Sequence, residues 1–260
     1  MTENNKYGLV MEALTGLVPQ MRLGSRVRAQ ASIVRRALED FLPLPPHSVF
    51  LGIANDGLPV LLNIGDSIPG PMLILGGEGS GKSNLLQVIG ASSTELYSPD
   101  EMQFGVVTSE PGEWEFLAGS PNLVGVFPSQ EPGAGEFIRT LAEWAHGNHR
   151  ERRSILLLID DLSALMSLEE AVRQDLRWLM LRGPSRRVWP IVTLNPKCAP
   201  DVHPWTTFFH TKLFGHIADP HDLGDLAGGS RPRLESLQPG SEFMLREGGD
   251  WLKFQVPSLD

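Results

Sequence analysis

A chain of 260 residues, 41% hydrophobic and 20% charged, has the composition of a globular protein able to bury a sizeable core. Its formal net charge of −9 excludes a surface coated in basic residues, so any nucleic-acid contact has to be local, such as a ring pore built by several subunits. The lone Cys198 excludes an internal disulfide and points to a reducing cytoplasm. No apolar run approaches the ~20 residues of a membrane span, and the N-terminus lacks the basic start and apolar core of a secretory signal.

Residues 1–46 read as an N-terminal helical extension. Leu9, Val10, Leu14, Leu17 and Val18 fit a short amphipathic helix that packs on a partner or on its own domain, interrupted by Gly16 and Pro19. A stronger helix is expected over 25–42, with Ser25 as N-cap and Pro43 as stop. Its apolar side is Ile33, Ala37, Leu38 and Phe41, and the arginines Arg28, Arg35 and Arg36 lie elsewhere, where a solvated face is commoner than a DNA contact. Pro43-Leu-Pro-Pro46 marks a boundary, after which residues 47–260 form the main domain. Strands at Val49–Ile53 and Pro59–Leu62 flank the hairpin chemistry of Asn55-Asp56-Gly57. Beyond them strands are expected at Met72–Leu75, Phe104–Thr108, Leu123–Phe127, Ile155–Ile159, Val188–Leu194, Thr206–Leu213, Phe243–Leu245 and Trp251–Val256. Helices are expected at Lys82–Tyr97, Trp114–Leu117, Gly135–His146, Leu168–Leu181 and near Asp222–Ala227. This alternation implies an α/β fold with a mostly parallel sheet covered on both faces.

The most specific signal is Gly76-Gly-Glu-Gly-Ser-Gly81-Lys82-Ser83, which follows an apolar strand and opens a helix. That spacing is a phosphate-binding P-loop (Walker A). Backbone N–H groups of Gly76, Gly77, Glu78, Gly79, Ser80 and Gly81 curl around a phosphate, and the helix N-terminus adds positive potential. Lys82 reaches the β- and γ-phosphates and the Ser83 hydroxyl ligates Mg²⁺, so the expected ligand is Mg-ATP. Downstream, Ile155-Leu-Leu-Leu-Ile-Asp160-Asp161 has the form of a Walker B strand ending in acids. Asp160 is expected to hold Mg²⁺ and Asp161 to polarise the attacking water.

With these elements in place the chain resembles the motor domain of the FtsK/HerA superfamily of P-loop ATPases, especially its FtsK/SpoIIIE branch. The likeness is carried by Leu51-Gly52…Asp56-Gly57…Pro59-Val60 before the P-loop strand, by Lys82-Ser83-Asn84-Leu85-Leu86, and by Asp160-Asp161-Leu-Ser-Ala-Leu165-Met166. Leu179-Met-Leu-Arg182-Gly183 and Trp189-Pro-Ile-Val-Thr-Leu-Asn195-Pro196 complete it, so that it spans roughly 47–256. It implies a RecA-like P-loop NTPase fold, with Asn84 beside the nucleotide and Asn195 as the γ-phosphate sensor where the family usually has glutamine. It also implies an arginine finger acting in trans, for which Arg182, Arg186 and Arg187 are the candidates, within a hexameric homo-oligomeric ring. The implied activity is ATP hydrolysis coupled to translocation of double-stranded DNA. The alternatives are a secretion or assembly ATPase moving a polypeptide, reaching a protein or membrane-associated partner through residues 1–46, or a weakly hydrolysing nucleotide-gated scaffold.

Three departures from the pattern bear on these expectations. The second Walker B acid is Asp161 instead of glutamate, which shortens its reach by ~1.5 Å and predicts slow hydrolysis or closer subunit packing. Thr108-Ser109-Glu110-Pro111 stands where aspartate-proline-lysine is usual. Neither a winged-helix domain nor a membrane segment accompanies the motor, so a bare motor core is expected. The seven histidines, His146 and His149 among them, carry no metal-site spacing. Trp114, Trp144 and Trp178 read as helical core residues, and Gly228–Arg233 as a basic surface loop.

Overall fold

The strand Ser154–Ile159 (β6) is buried at every residue, as is Val188–Leu194 (β7). Only a central position in a sheet covered on both faces accommodates such runs. The computed structural model describes residues 33–65, 70–148, 152–228, 232–247 and 250–259. It gathers ten strands into one sheet of order β2-β1-β10-β9-β8-β3-β7-β6-β4-β5. The others are β1 (Ser48–Ala54), β2 (Pro59–Asn63), β3 (Met72–Leu75), β4 (Met102–Thr108), β5 (Leu123–Pro128), β8 (Thr211–Phe214), β9 (Glu242–Glu247) and β10 (Asp250–Gln255). From β8 to β5 all neighbours are parallel. On the other side of β8, the strands β9, β10, β1 and β2 form an antiparallel extension. The expected mostly parallel α/β sheet is therefore present, with this mixed edge added.

Alternate residues of each central strand feed two cores. Leu73, Leu75, Ile155, Leu157, Ile159, Val192 and Leu194 face one way. There they meet the helices Pro132–Gly147 (α3) and Glu170–Arg182 (α4), through Phe137, Leu141, Leu176 and Leu179. Met72, Ile74, Phe104, Leu156, Leu158 and Ile191 face the other way, against the helix Lys82–Leu96 (α2), strands β1 and β2, and Trp114. Full burial of each such aliphatic side chain stabilises by roughly 1.5–3 kcal/mol, so the central strands are the most strongly fixed part of the molecule. Residues 33–39 form a helix, α1, whose Val34 and Leu38 enter the same core as β1. Arg35 of α1 pairs with Glu95 of α2 at 2.8 Å, in an exposed position.

Most expected elements lie where the pattern put them. The helix expected over 25–42 is helical through 33–39 within the described residues and turns at Asp40, while its start and the amphipathic stretch at 9–18 lie outside them. The expected strand Thr206–Leu213 is corrected. His203–Thr206 is a single helical turn, α5, started by Pro204, and the strand begins only at Thr211. Phe209 reads as a strand residue because it is large and apolar, yet with Trp205 it is buried under the α3–α4 face. The helix expected near Asp222–Ala227 is a 3₁₀ turn at Pro220–Leu223, capped by the Asp219 side chain and ended by Gly224 at φ 49°. Trp114 and Trp144 are buried, and Trp178 is half-buried and stacked on His146 at 3.7 Å. Among the described residues no helix is long and apolar enough to cross a membrane, and no group of three or more His, Cys, Asp or Glu side chains could hold a metal ion. His149 and residues 229–231 lie outside the described set.

Candidate nucleotide site

Because the central strands are parallel, the turns that leave β3, β6, β7 and β8 all emerge at one edge of the sheet. Ligands bind at this edge in open α/β folds. Four segments of the chain meet there: Gly76–Ser83, Asp160-Asp161, Asn195-Pro196 and Gly215-His216. The strand β7 lies between β3 and β6, so the glycine loop and the acidic pair are separated by one strand.

The loop is anchored on both flanks. Gly76 N–H donates to Leu194 O at 3.3 Å, and Gly77 N–H donates to His216 O at 2.8 Å. The His216 ring is fixed in turn, with Nδ1 2.9 Å from Leu237 O; a carbonyl only accepts, so Nδ1 carries the proton. A Cβ on Gly76 would lie 2.3 Å from Ser80 Oγ, so the inside of the loop leaves no room for a side chain there. Ser80 Oγ is fully buried with no hydrogen-bond partner. Gly81 sits at φ 91° as the residue before α2, and a Cβ there would meet Gly240 O at 2.3 Å. Two backbone segments thus touch where only glycine fits. An unpartnered hydroxyl inside a tight loop at a helix N-terminus fits an anion with several acceptor oxygens.

Lys82 opens α2 and folds back over the loop, its Nζ donating to Gly77 O at 2.8 Å. Burial lowers its pKa; the carboxylates of Asp160, Asp161 and Glu78 act in the opposite direction. The lysine therefore lies within electrostatic reach of both Walker B acids, although 78 residues separate Lys82 from Asp160. Asp160 continues β6, its amide donating to Val107 O at 2.8 Å, and its Oδ1 accepts from Thr193 Oγ1 at 2.9 Å. Its other carboxylate oxygen takes no hydrogen bond among the described residues, which suits a metal ligand.

Asp161 is held differently. Its backbone adopts φ 79°, a conformation that costs a non-glycine residue roughly 1–3 kcal/mol. One carboxylate oxygen accepts from Ser163 N at 2.9 Å and from Ser163 Oγ at 2.6 Å, capping the 3₁₀ turn Leu162–Ser167. Its amide N–H donates to Thr193 Oγ1 at 2.8 Å. Asn195 likewise caps a 3₁₀ turn, with Oδ1 accepting from Lys197 N at 3.2 Å.

Among the residues expected at this site, Gly76 to Ser83, Asp160, Asp161 and Asn195 come together. Asn84 points elsewhere: its Nδ2 donates to Pro257 O at 3.0 Å and its Oδ1 accepts from Leu259 N at 3.2 Å. Its whole amide is engaged with the segment after β10. Arg182, Arg186 and Arg187 precede β7, so they lie at the opposite edge of the sheet, about 25 Å from Asn195 at strand rise. Arg186 and Asn148 exchange hydrogen bonds with each other's carbonyls, and Arg187 donates to Arg152 O. Arg182 is exposed and lines a cavity of about 540 Å³ with His146, Trp178, Ser185 and Arg186. Within one chain none of the three arginines reaches the site.

No protein-family model matches the chain, and no curated protein matches it. Solved structures do match. EssC (ATPases 2 and 3) from Geobacillus thermodenitrificans superposes with a TM-score of 0.68 at 16% identity, over 84% of this chain and 48% of that one. EccC (ATPases 2 and 3) from Thermomonospora curvata, in complex with a signal sequence peptide, gives 0.64 at 18%, over 82% and 40%. The pCW3 conjugation coupling protein TcpA, solved with ATPγS, gives 0.61 at 16%, over 85% and 69%. The chain thus spans less than half the length of the EssC and EccC structures. Its fold is the fold of these proteins, an α/β sheet with helices on both faces.

Proposed function

We propose that the chain is a Mg-ATP-hydrolysing motor ATPase in which ATP binds between the Gly76–Ser83 loop and the Asp160-Asp161 pair. One observation carries this reading: Lys82 and both aspartates converge at one sheet edge, on either side of β7. Lys82 exchanges the Gly77 carbonyl for phosphate oxygens of the substrate, and the N–H groups of the loop bind the same phosphates. Ser83 and Asp160 are the residues that would hold Mg²⁺, which would neutralise phosphate charge there. The free oxygen of Asp161 orients water for in-line attack, and Asn195 contacts the γ-phosphate or that water. The test is ATP binding and hydrolysis by the wild type beside Lys82→Ala. The variant should lose both by 100-fold or so; wild-type turnover in Lys82→Ala rejects the proposal.

One of the three candidates Arg182, Arg186 and Arg187 serves a neighbour's nucleotide in a homo-oligomeric, hexameric ring, because their own site is out of reach. The cargo in this reading is double-stranded DNA, and the location is the cytoplasm. A second reading, export or assembly of a polypeptide with residues 1–46 as the partner-docking extension of the 47–260 motor, is favoured by the net charge of −9. ATPase rates with and without duplex DNA discriminate the two. A DNA motor is stimulated, and its binding weakens steeply with salt; a polypeptide motor is indifferent to DNA.

A further inference from the structure

Thr193 occupies a strand in which Val188, Trp189, Ile191, Val192 and Leu194 are all buried, and it is itself only 1% exposed. A hydroxyl in such a place is unfavourable unless both its donor and its acceptor capacity are used. The register of β6 on β7 pairs Ile159 with Val192, which sets the next positions, Asp160 and Thr193, side by side beyond the last paired residues. The Asp161 amide can only donate, so Thr193 Oγ1 is its acceptor, at 2.8 Å. The hydroxyl proton is then left for Asp160 Oδ1, at 2.9 Å. One side chain from a neighbouring strand fixes the carboxylate of the first acid and the backbone of the second. The Asp161 backbone is the one that stands at φ 79°.

We infer that Thr193 is a positioning residue for the acidic pair: it aims the unbonded oxygen of Asp160 at the metal and holds Asp161 where its carboxylate can orient water. This rests on the nucleotide-site reading above and adds a residue that reading does not use. Valine has nearly the same shape and suits a buried strand equally well, so the hydroxyl is there for its two hydrogen bonds and not for packing.

The experiment uses the full chain as wild type, Thr193→Val, Thr193→Ser and Lys82→Ala. ATP binding is measured calorimetrically in EDTA and across a Mg²⁺ titration, alongside turnover and thermal melts. Thr193→Val should raise the Mg²⁺ concentration for half-maximal effect 10–100-fold, as loss of a hydrogen bond to a metal-ligating carboxylate does. It should lower kcat at least 10-fold, and leave metal-free ATP affinity within about 3-fold, because the loop and Lys82 are untouched. Thr193→Ser, which keeps the hydroxyl, should restore Mg²⁺ dependence to within about 3-fold of wild type. If Thr193→Val does not fold, Thr193→Ala is read in the same way. A folded hydroxyl-free variant with wild-type Mg²⁺ dependence overturns this inference alone, and so does a Thr193→Ser protein as impaired as Thr193→Val. A wild type that binds no ATP, indistinguishable from Lys82→Ala, overturns the nucleotide-site reading itself.

Discussion

Lys82 ties the chemistry of the site to pH. Burial lowers its pKa in the folded protein, so over the interval between that lowered value and the ordinary lysine value the unfolded chain binds more protons. Stability of the nucleotide-free protein therefore rises with pH across this interval as far as Lys82 is concerned. ATP reverses the preference, since phosphate oxygens beside Nζ favour the ammonium form. ATP affinity should accordingly weaken in the wild type as pH rises toward the ordinary lysine value and Lys82 loses its proton. The Lys82→Ala profile should be flat over the same range; parallel profiles in isothermal titration would count against the assignment. Asp161 offers a second residue-scale prediction. Asp161→Glu carries the carboxylate ~1.5 Å further toward the site and should raise kcat, by as much as ~100-fold. It also gives up the cap on Ser163, so the melting temperature should fall by the equivalent of about 1 kcal/mol. Turnover that stays flat with the cap lost would mean that reach does not limit hydrolysis.

At the scale of elements, α2 is fastened at its first turn to two distant parts of the chain. Gly81→Ala forces a Cβ against Gly240 O and a side chain into φ 91°, so both stability and ATP binding should drop, with a cost of roughly 1–3 kcal/mol or more. Asn84→Ala separates the two outcomes. It removes both hydrogen bonds to the segment after β10 and should cost about 1–3 kcal/mol in urea melts while ATP affinity stays within about 3-fold. The reverse result would make Asn84 a nucleotide ligand. These contacts also show how far the sequence was legible. The glycine loop, the strand ahead of it and the acid-terminated strand β6 are local patterns, set by steric and hydrogen-bonding needs that neighbouring residues satisfy, and they lie where expected. Thr193 was not legible: in Val188–Leu194 a threonine reads as one more β-former, and its role depends on a register between strands 33 residues apart. The side-chain partners of Asn84 were not legible for the same reason, because they arrive 173 and 175 residues later. The start of Thr206–Leu213 was read as strand because periodicity cannot distinguish a buried turn from a buried strand.

For the whole molecule, the placement of Arg182, Arg186 and Arg187 behind the sheet makes a clear prediction about assembly. If one of them completes a neighbour's site, its alanine variant and Lys82→Ala should each hydrolyse ATP slowly alone. Mixed, they should recover activity, because some interfaces then pair an intact loop with an intact arginine. Sedimentation with ATP should show assembly in both variants, and mixed oligomers with no recovered activity would exclude a finger among these three.

The contact between Gly81 and Gly240 has a mechanical consequence. The turn at Gly240 leads directly into β9, and so into the four antiparallel strands that flank the parallel part of the sheet. With no side chain to cushion the two backbones, a tilt of that flank presses on or draws away from the very peptide that starts α2. If the loop holds a triphosphate as proposed, a load taken up by the outer strands would be felt at its phosphates, and release of a product would be felt at the rim of the molecule.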